Sequence, residues 1–294
     1  MAQARRHVHQ SEITLPMRCR VIGEDGSQSP LAQVPLRTRD PTIDLEEVLE
    51  FPPFQRWVRT FAQYQKSDHN THQTLAQDIQ INSVDIQSVD RFGKGAIGFI
   101  KFQVDAHYVS TGASLPGVVF MRGGSVAILL ILQADEEPHQ EYTVLTVQPR
   151  LAVPDFTHPE LPAGMLDGSG EFQGKAAQEL EEETGIQVHQ TDLIDMTELA
   201  YGNSSETQST PGVYTTPGAC DEFIRLFACR KKLSQSKIDE LKGKLTGLRA
   251  EGEAITLRLC PLDSLWRQTQ DAKTLAAWAL YTELKRRGQL CFPE

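Results

Sequence analysis

Long apolar runs are missing from this sequence: the longest, Val126 to Leu132, falls far short of the roughly 18 to 20 residues that a membrane-spanning helix needs. Cysteine is sparse. The five present (Cys19, Cys220, Cys229, Cys260 and Cys291) form no CxxC pair, which argues against a disulfide framework or a structural zinc site and fits a reducing compartment. Positive charge is in deficit, with 29 Lys and Arg against 39 Asp and Glu, a net charge of −10. Such a surface repels nucleic acid and anionic membranes, yet a small anionic ligand can still be held in a local positive or metal-lined pocket. There is no basic recognition helix, internal repeat or low-complexity tract. The N-terminus carries Arg5, Arg6 and His7 but no apolar h-region, which argues against a secretory signal. The basic, acid-poor residues through Arg20 leave an organelle-targeting segment open. What is present is apolar residue enough for a core, 39% of 294 residues, so the sequence implies a folded, soluble chain of one large domain or two small ones.

Residues 1–43 have no sustained periodicity and many Gln, Pro and Arg, and read as a flexible or loosely docked arm. From Pro52 to Tyr64, Phe54, Trp57, Val58 and Phe61 recur at i, i+3, i+4 and i+7, the stripe of an amphipathic helix that faces a core. Ile79 to Val89 and Ala96 to Val109 alternate with period two around Phe92-Gly93-Lys94-Gly95, a pattern of antiparallel strands. A small helix-plus-strand domain over 44–112 is expected. Beyond it, Gly117 to Phe120, Ser125 to Leu132, Tyr142 to Val147, Ile224 to Cys229 and Ala254 to Leu259 read as strands. Ala176 to Glu183, Ser234 to Leu245 and Asp271 to Arg287 read as helices. Together these imply an α/β domain over 113–294.

One segment carries chemistry, Gly164 to Ile186, GMLDGSGEFQGKAAQELEEETGI. Glu179, Glu182 and Glu183 lie at i, i+3 and i+4, so on a helix the three carboxylates share a face. Like charges at that spacing destabilise an isolated helix by a few tenths of a kcal/mol per pair. A bound cation removes that penalty, and hard oxygen donors suit Mg²⁺ or Mn²⁺, which also bind substrate phosphates. The bland alternative is a solvated acidic face. The flanks argue against it: a Pro- and Gly-rich loop, LPAGMLDG, leads in, and Thr184-Gly185-Ile186 ends the helix.

This strand, loop and helix resemble the Nudix box. Gly164, Glu179, Leu180, Glu182, Glu183, Gly185 and Ile186 fall at the box positions, while Gly170 stands where the pattern has its first glutamate, with Glu171 one residue later, and Gln178 stands where it has arginine. In the family that arginine braces the metal-binding glutamates by charge, so weaker metal binding or lower turnover is expected here. The likeness extends along DRFGKGAIGFIKF, PGVVFMRGGSVAILLIL, ELPAGMLDG, GACDEFIRLF, LKGKLTGLRAEGEAI and LWRQTQDAKTLAAWALY to the plant-type ADP-sugar diphosphatases. That resemblance implies a Nudix α/β/α sandwich with a mixed sheet behind a small β-rich N-terminal domain, and a homodimer. It also implies cleavage of ADP-ribose or ADP-glucose to AMP and a sugar phosphate.

On this reading Glu179 and Glu183 are the principal metal ligands, with Glu182 beside them in the catalytic set. The resemblance adds the backbone carbonyl of Ala163. It also points to Glu251 as general base and Glu253 as a further ligand, on a loop before a strand. Glu222, in GACDEF, is a second candidate base, and its loop, Gly218 to Asp221, is expected to line the pocket. Arg150 and Arg122 are candidates to pair with phosphate, since guanidinium offers bidentate geometry. Phe120 and Tyr214 are candidate adenine platforms. Cys220 has no histidine in its motif and is expected to be a buried, inert thiol. Competing readings are a Nudix enzyme acting on UDP-glucose or a dinucleotide, and a non-catalytic nucleotide-sugar sensor motivated by Gln178 and Gly170. The resemblance begins near Ile13, which favours the cytosol over a plastid.

Overall fold

The computed structural model describes residues 11–22, 28–64, 78–93, 95–137, 139–166, 172–202, 212–247 and 254–293. It divides into two compact units, Met1–Gly123 with Thr216–Asp221, and Gly124–Thr215 with Glu222–Glu294.

The first unit contains β1 (Ser11–Ile22), β2 (Gln28–Thr38), α1 (Leu45–Glu50), α2 (Pro52–Tyr64), β3 (Ile79–Phe92), β4 (Ala96–Tyr108) and β5 (Val118–Met121). Its strands form one sheet in that order, antiparallel except where β2 meets β3. The apolar stripe of α2 is core as expected: Phe54 and Val58 are buried, and Phe54 and Trp57 both pack edge-on against Phe102 of β4. Two expectations are corrected. The arm assigned to 1–43 contains two strands, because Val34, Leu36 and Thr38 alternate into the core while Pro35 and polar neighbours disguise the alternation. And Gly117 to Phe120 does not open the second domain: β5 pairs with β4, so the first unit runs through Gly123 and not to residue 112.

The second unit contains β6 (Ser125–Ala134), β7 (Glu141–Arg150), β8 (Asp155–Glu160), β9 (Ala163–Met165), α3 (Phe172–Thr184), β10 (Ile194–Asp195), α4 (Met196–Tyr201), β11 (Val213–Tyr214), β12 (Phe223–Leu233), α5 (Gln235–Asp239), β13 (Leu245–Thr246), β14 (Ile255–Pro261) and α6 (Ala272–Arg286). The sheet runs β10, β12, β6, β7, β14, β13 among the described residues, with β12 parallel to β6 and the other pairs antiparallel.

Strand β6 shows why both faces need helices. Its side chains are buried on either side: Val126, Ile128 and Leu130 join Ala176 and Leu180 of α3, while Ala127, Leu129 and Ile131 join Ala277 and Tyr281 of α6. A strand apolar on both faces must be covered on both, which yields the expected α/β/α sandwich with a mixed sheet. Among the described residues no helix is long and apolar enough to cross a membrane.

Candidate functional site

The box begins on β9, which pairs antiparallel with the first residues of β6, Gly164 opposite Val126. Helix α3 follows and buries Ala176, Leu180, Glu183 and Thr184. It ends on Gly185 at φ +73°, a left-handed conformation that glycine adopts without strain, and the Gly185 N–H donates to the Glu181 carbonyl at 2.8 Å. The Thr246 hydroxyl of β13 donates to the Glu183 carbonyl at 2.5 Å, tying the end of the helix to the sheet.

Two of the expected ligands are drawn onto β9. The Ala163 N–H donates to Glu183 Oε2 at 3.0 Å, and Glu183 is only 5% exposed, so a carboxylate is held inside the fold beside the box loop. The Glu179 side chain lies against Gly164 so closely that a methyl group there would sit 1.9 Å from its carboxyl carbon. That contact explains the box glycine: only a residue without Cβ lets this carboxylate reach β9. Glu182 is half-buried on the same helix and accepts from the Gln178 amide at 2.8 Å. Lys175, which the sequence pattern does not single out, places its ammonium 2.7 Å from Glu179 Oε1. Its spacing of four residues from Glu179 is the one signal that could have found it.

Glu222 stands at the start of β12, accepting from Ser125 Oγ at 3.2 Å and from Thr215 Oγ1 at 3.4 Å. Ser125 is paired with Met165 of β9 on one side and with Ile224 of β12 on the other, so Glu222 is at the box end of the sheet. Glu251, Glu253, Gly170 and Glu171 lie outside the described residues.

The remaining candidates have other partners or belong to the first unit. In the first unit, Asp221 Oδ1 accepts from the N–H groups of Arg122 and Gly123 at 2.8 and 3.1 Å, which ties its loop to the end of β5. The Arg122 guanidinium stands 5.9 Å from the centre of the Phe99 ring, and Gly218 belongs to the same loop as Asp221. Phe120 and Tyr214 are exposed. Cys220 is half-buried, more open than expected. Arg150 does not stand free for phosphate: its guanidinium meets Glu160 Oε1 at 2.6 Å. Glu160 is 3% exposed and also takes the ammonium of Lys273, which reaches Asp271 at 3.2 Å.

Among the described residues, the one group of three potential metal ligands within 4.8 Å of one another is His158, Glu160 and Asp271. Lys273 bridges its two carboxylates and Arg150 pairs with one of them, so two cations already neutralise the group. It is an ion-pair network joining α6 to the β7–β8 hairpin. The box carboxylates are placed differently: Glu179, Glu182 and Glu183 share helix α3, with Glu183 hydrogen-bonded to β9 and Glu179 against Gly164.

The model of the NUDIX domain matches residues 121–279. The chain is 35% identical to Nudix hydrolase 14, chloroplastic, from Arabidopsis thaliana, over 96% of its own length and 90% of the relative's. A solved structure described as an ADP compounds hydrolase aligns with a TM-score of 0.46 at 15% identity, covering 73% of this chain and 98% of that one. The chain belongs to the Nudix family and is a Nudix hydrolase, a class that generally uses divalent metals such as Mg²⁺ to open pyrophosphates.

Proposed function

We propose that this chain hydrolyses the pyrophosphate of a nucleoside diphosphate sugar, ADP-ribose or ADP-glucose, to AMP and a sugar phosphate. The observation that carries the hydrolytic part is the gathering of Glu179 and Glu183 onto β9, with Gly164 leaving room for one and Ala163 hydrogen-bonded to the other. The choice of sugar nucleotide rests on the extended sequence resemblance. Glu179 and Glu183 would hold Mg²⁺ or Mn²⁺, with Glu182, Glu253 and the Ala163 carbonyl as further donors. Such an ion supplies charge neutralisation at the phosphates and a more acidic water. Glu251 would serve as the general base that accepts a proton from the attacking water, with Glu222 the alternative base; positioned proton transfer is worth roughly 10²- to 10⁴-fold. A homodimer is part of the reading, as is a cytosolic address. The Arabidopsis relative is described as chloroplastic, so a plastid is the competing address, and a fluorescent fusion separates them.

Parallel hydrolysis of ADP-ribose, ADP-glucose, UDP-glucose and NADH with Mg²⁺ and then with EDTA tests the activity, with Glu183→Gln as control. Metal-dependent release of AMP from the ADP-sugars, abolished by the substitution, is the expected result. Preference for UDP-glucose or NADH replaces the substrate. Binding without turnover of any of them leaves a nucleotide-sugar sensor.

A further inference from the structure

We propose that Lys175 is the positioning cation of this box: it supplies the positive charge that position 178 lacks and fixes the Glu179 carboxylate on Gly164 in the geometry a divalent metal needs. The inference rests on the reading that Glu179 and Glu183 hold that metal.

Three acidic side chains share one face of α3, and Gln178 contributes an amide and no charge. The ammonium 2.7 Å from Glu179 Oε1 belongs to Lys175, one turn earlier. Both partners are sheltered, the lysine side chain 20% and the glutamate 14% exposed, so water screens this pair less than a surface pair.

Helix stability does not account for it. Lysine four residues before glutamate is the weaker orientation of such pairs, and a cation near a helix N-terminus opposes the helix dipole; Lys175 is the fourth residue of α3. What the pair does achieve is geometric. With Lys175 on Oε1 and Gly164 beneath the carboxyl group, Glu179 has little rotational freedom left, and its carboxylate is held in one orientation on β9. The ammonium also offsets repulsion among Glu179, Glu182 and Glu183 before a metal arrives. A competing view makes Lys175 a mere occupant of the metal site, and it predicts the opposite sign.

Mn²⁺ binding to the full chain, read by electron paramagnetic resonance and calorimetry, tests this with Lys175→Gln, Lys175→Arg, Lys175→Gln/Gln178→Arg and Glu179→Gln. Partners that orient metal ligands are typically worth 10- to 100-fold in affinity. Lys175→Gln is expected to weaken Mn²⁺ about tenfold or more, with the circular dichroism spectrum and melting temperature retained. Lys175→Arg, and the double variant Lys175→Gln/Gln178→Arg, are expected to restore most of it. In the assay, the metal concentration for half-maximal rate should rise while KM for the nucleotide sugar at saturating metal stays put. Mn²⁺ bound as tightly or more tightly by Lys175→Gln overturns the proposal, as does failure of both arginine variants to restore affinity. A wild-type chain that binds no Mn²⁺, and is indifferent to Glu179→Gln, fails the metal reading itself and the proposal with it.

Discussion

A methyl group at position 164 has nowhere to go: it would meet the Glu179 carboxyl carbon at 1.9 Å and Oε1 at 2.1 Å. Gly164→Ala must therefore push the carboxylate off β9, because the strand backbone is held by its pairing with β6. Metal-dependent hydrolysis is expected to fall by roughly tenfold or more, the scale seen when ligand orientation is lost. A modest loss of melting temperature should accompany it. Glu179→Ala in the same chain removes the collision, so the double variant should regain the melting temperature and not the activity. Full activity in Gly164→Ala would show that Glu179 need not sit there. Residues such as these are legible because box positions lie at fixed spacing along one helix and one loop. The ion pairing of Arg150 is invisible in the sequence for the converse reason. Its partner Glu160 lies across a hairpin, and the second cation on that carboxylate, Lys273, arrives from α6, so neither contact has a local signature.

Elements are recognised from periodicity, but their neighbours are not. Helix α2 and strands β3 and β4 follow periodicities visible in the sequence, β6, β7, β12 and β14 follow its apolar runs, and α3 and α6 follow its helix-forming composition and end signals. β1 and β2 are hidden by Pro35 and by the Gln- and Arg-rich stretches around it. β5 is visible as a strand, but only pairing assigns it to the first sheet. Two predictions belong here. Gly185→Ala forces a side chain into a left-handed conformation at φ +73° and crowds Lys244 Nζ, 2.9 Å from the new Cβ, so urea denaturation should show about 1 kcal/mol less stability. Lys273→Met leaves the buried Glu160 with the half-exposed Arg150 as its one remaining cation among the described residues. Removing one partner from a buried pair costs about 3 to 5 kcal/mol, and the remaining arginine holds the loss near the lower end, about 3 kcal/mol by urea denaturation. A loss under about 1 kcal/mol would mean that the network is a surface feature, contrary to its burial.

Across the whole molecule the pH dependence of stability follows from where charge is and is not tolerated. Arg286 and Arg287 hold Glu283 down to about 2, and Lys231 lowers Asp192. Carboxylates with depressed values stabilise the fold above their ordinary range near 4, and that contribution fades as the pH falls from there through the depressed values; the Glu283 side chain is 44% exposed, so its share is small. On the alkaline side, beside Tyr281, whose hydroxyl burial also pushes up, two thiols contribute from opposite faces of the large sheet, Cys229 packed with the α3 layer and Cys260 with the α6 layer. Burial pushes Cys229 up to about 11 and Cys260 up to about 12. An unfolded thiol ionises near 9, whereas these stay neutral in the fold, so above pH 9 the unfolded chain gains charge that the native chain refuses. Stability should hold up to about pH 9 and decline between there and about pH 11 to 12, as the native thiols titrate. Melting temperature against pH for the wild type and for Cys229→Ala/Cys260→Ala isolates this contribution. The variant starts lower, because two small cavities replace sulfur, but its alkaline decline should be shallower. The same burial predicts that iodoacetamide at pH 8 modifies the exposed Cys291 in the native protein and reaches Cys229 and Cys260 only after denaturation, which mass spectrometry of the alkylated peptides reads directly. Native labelling of Cys229 or Cys260 would mean that the sheet opens locally, and the steep alkaline decline would then be lost with it.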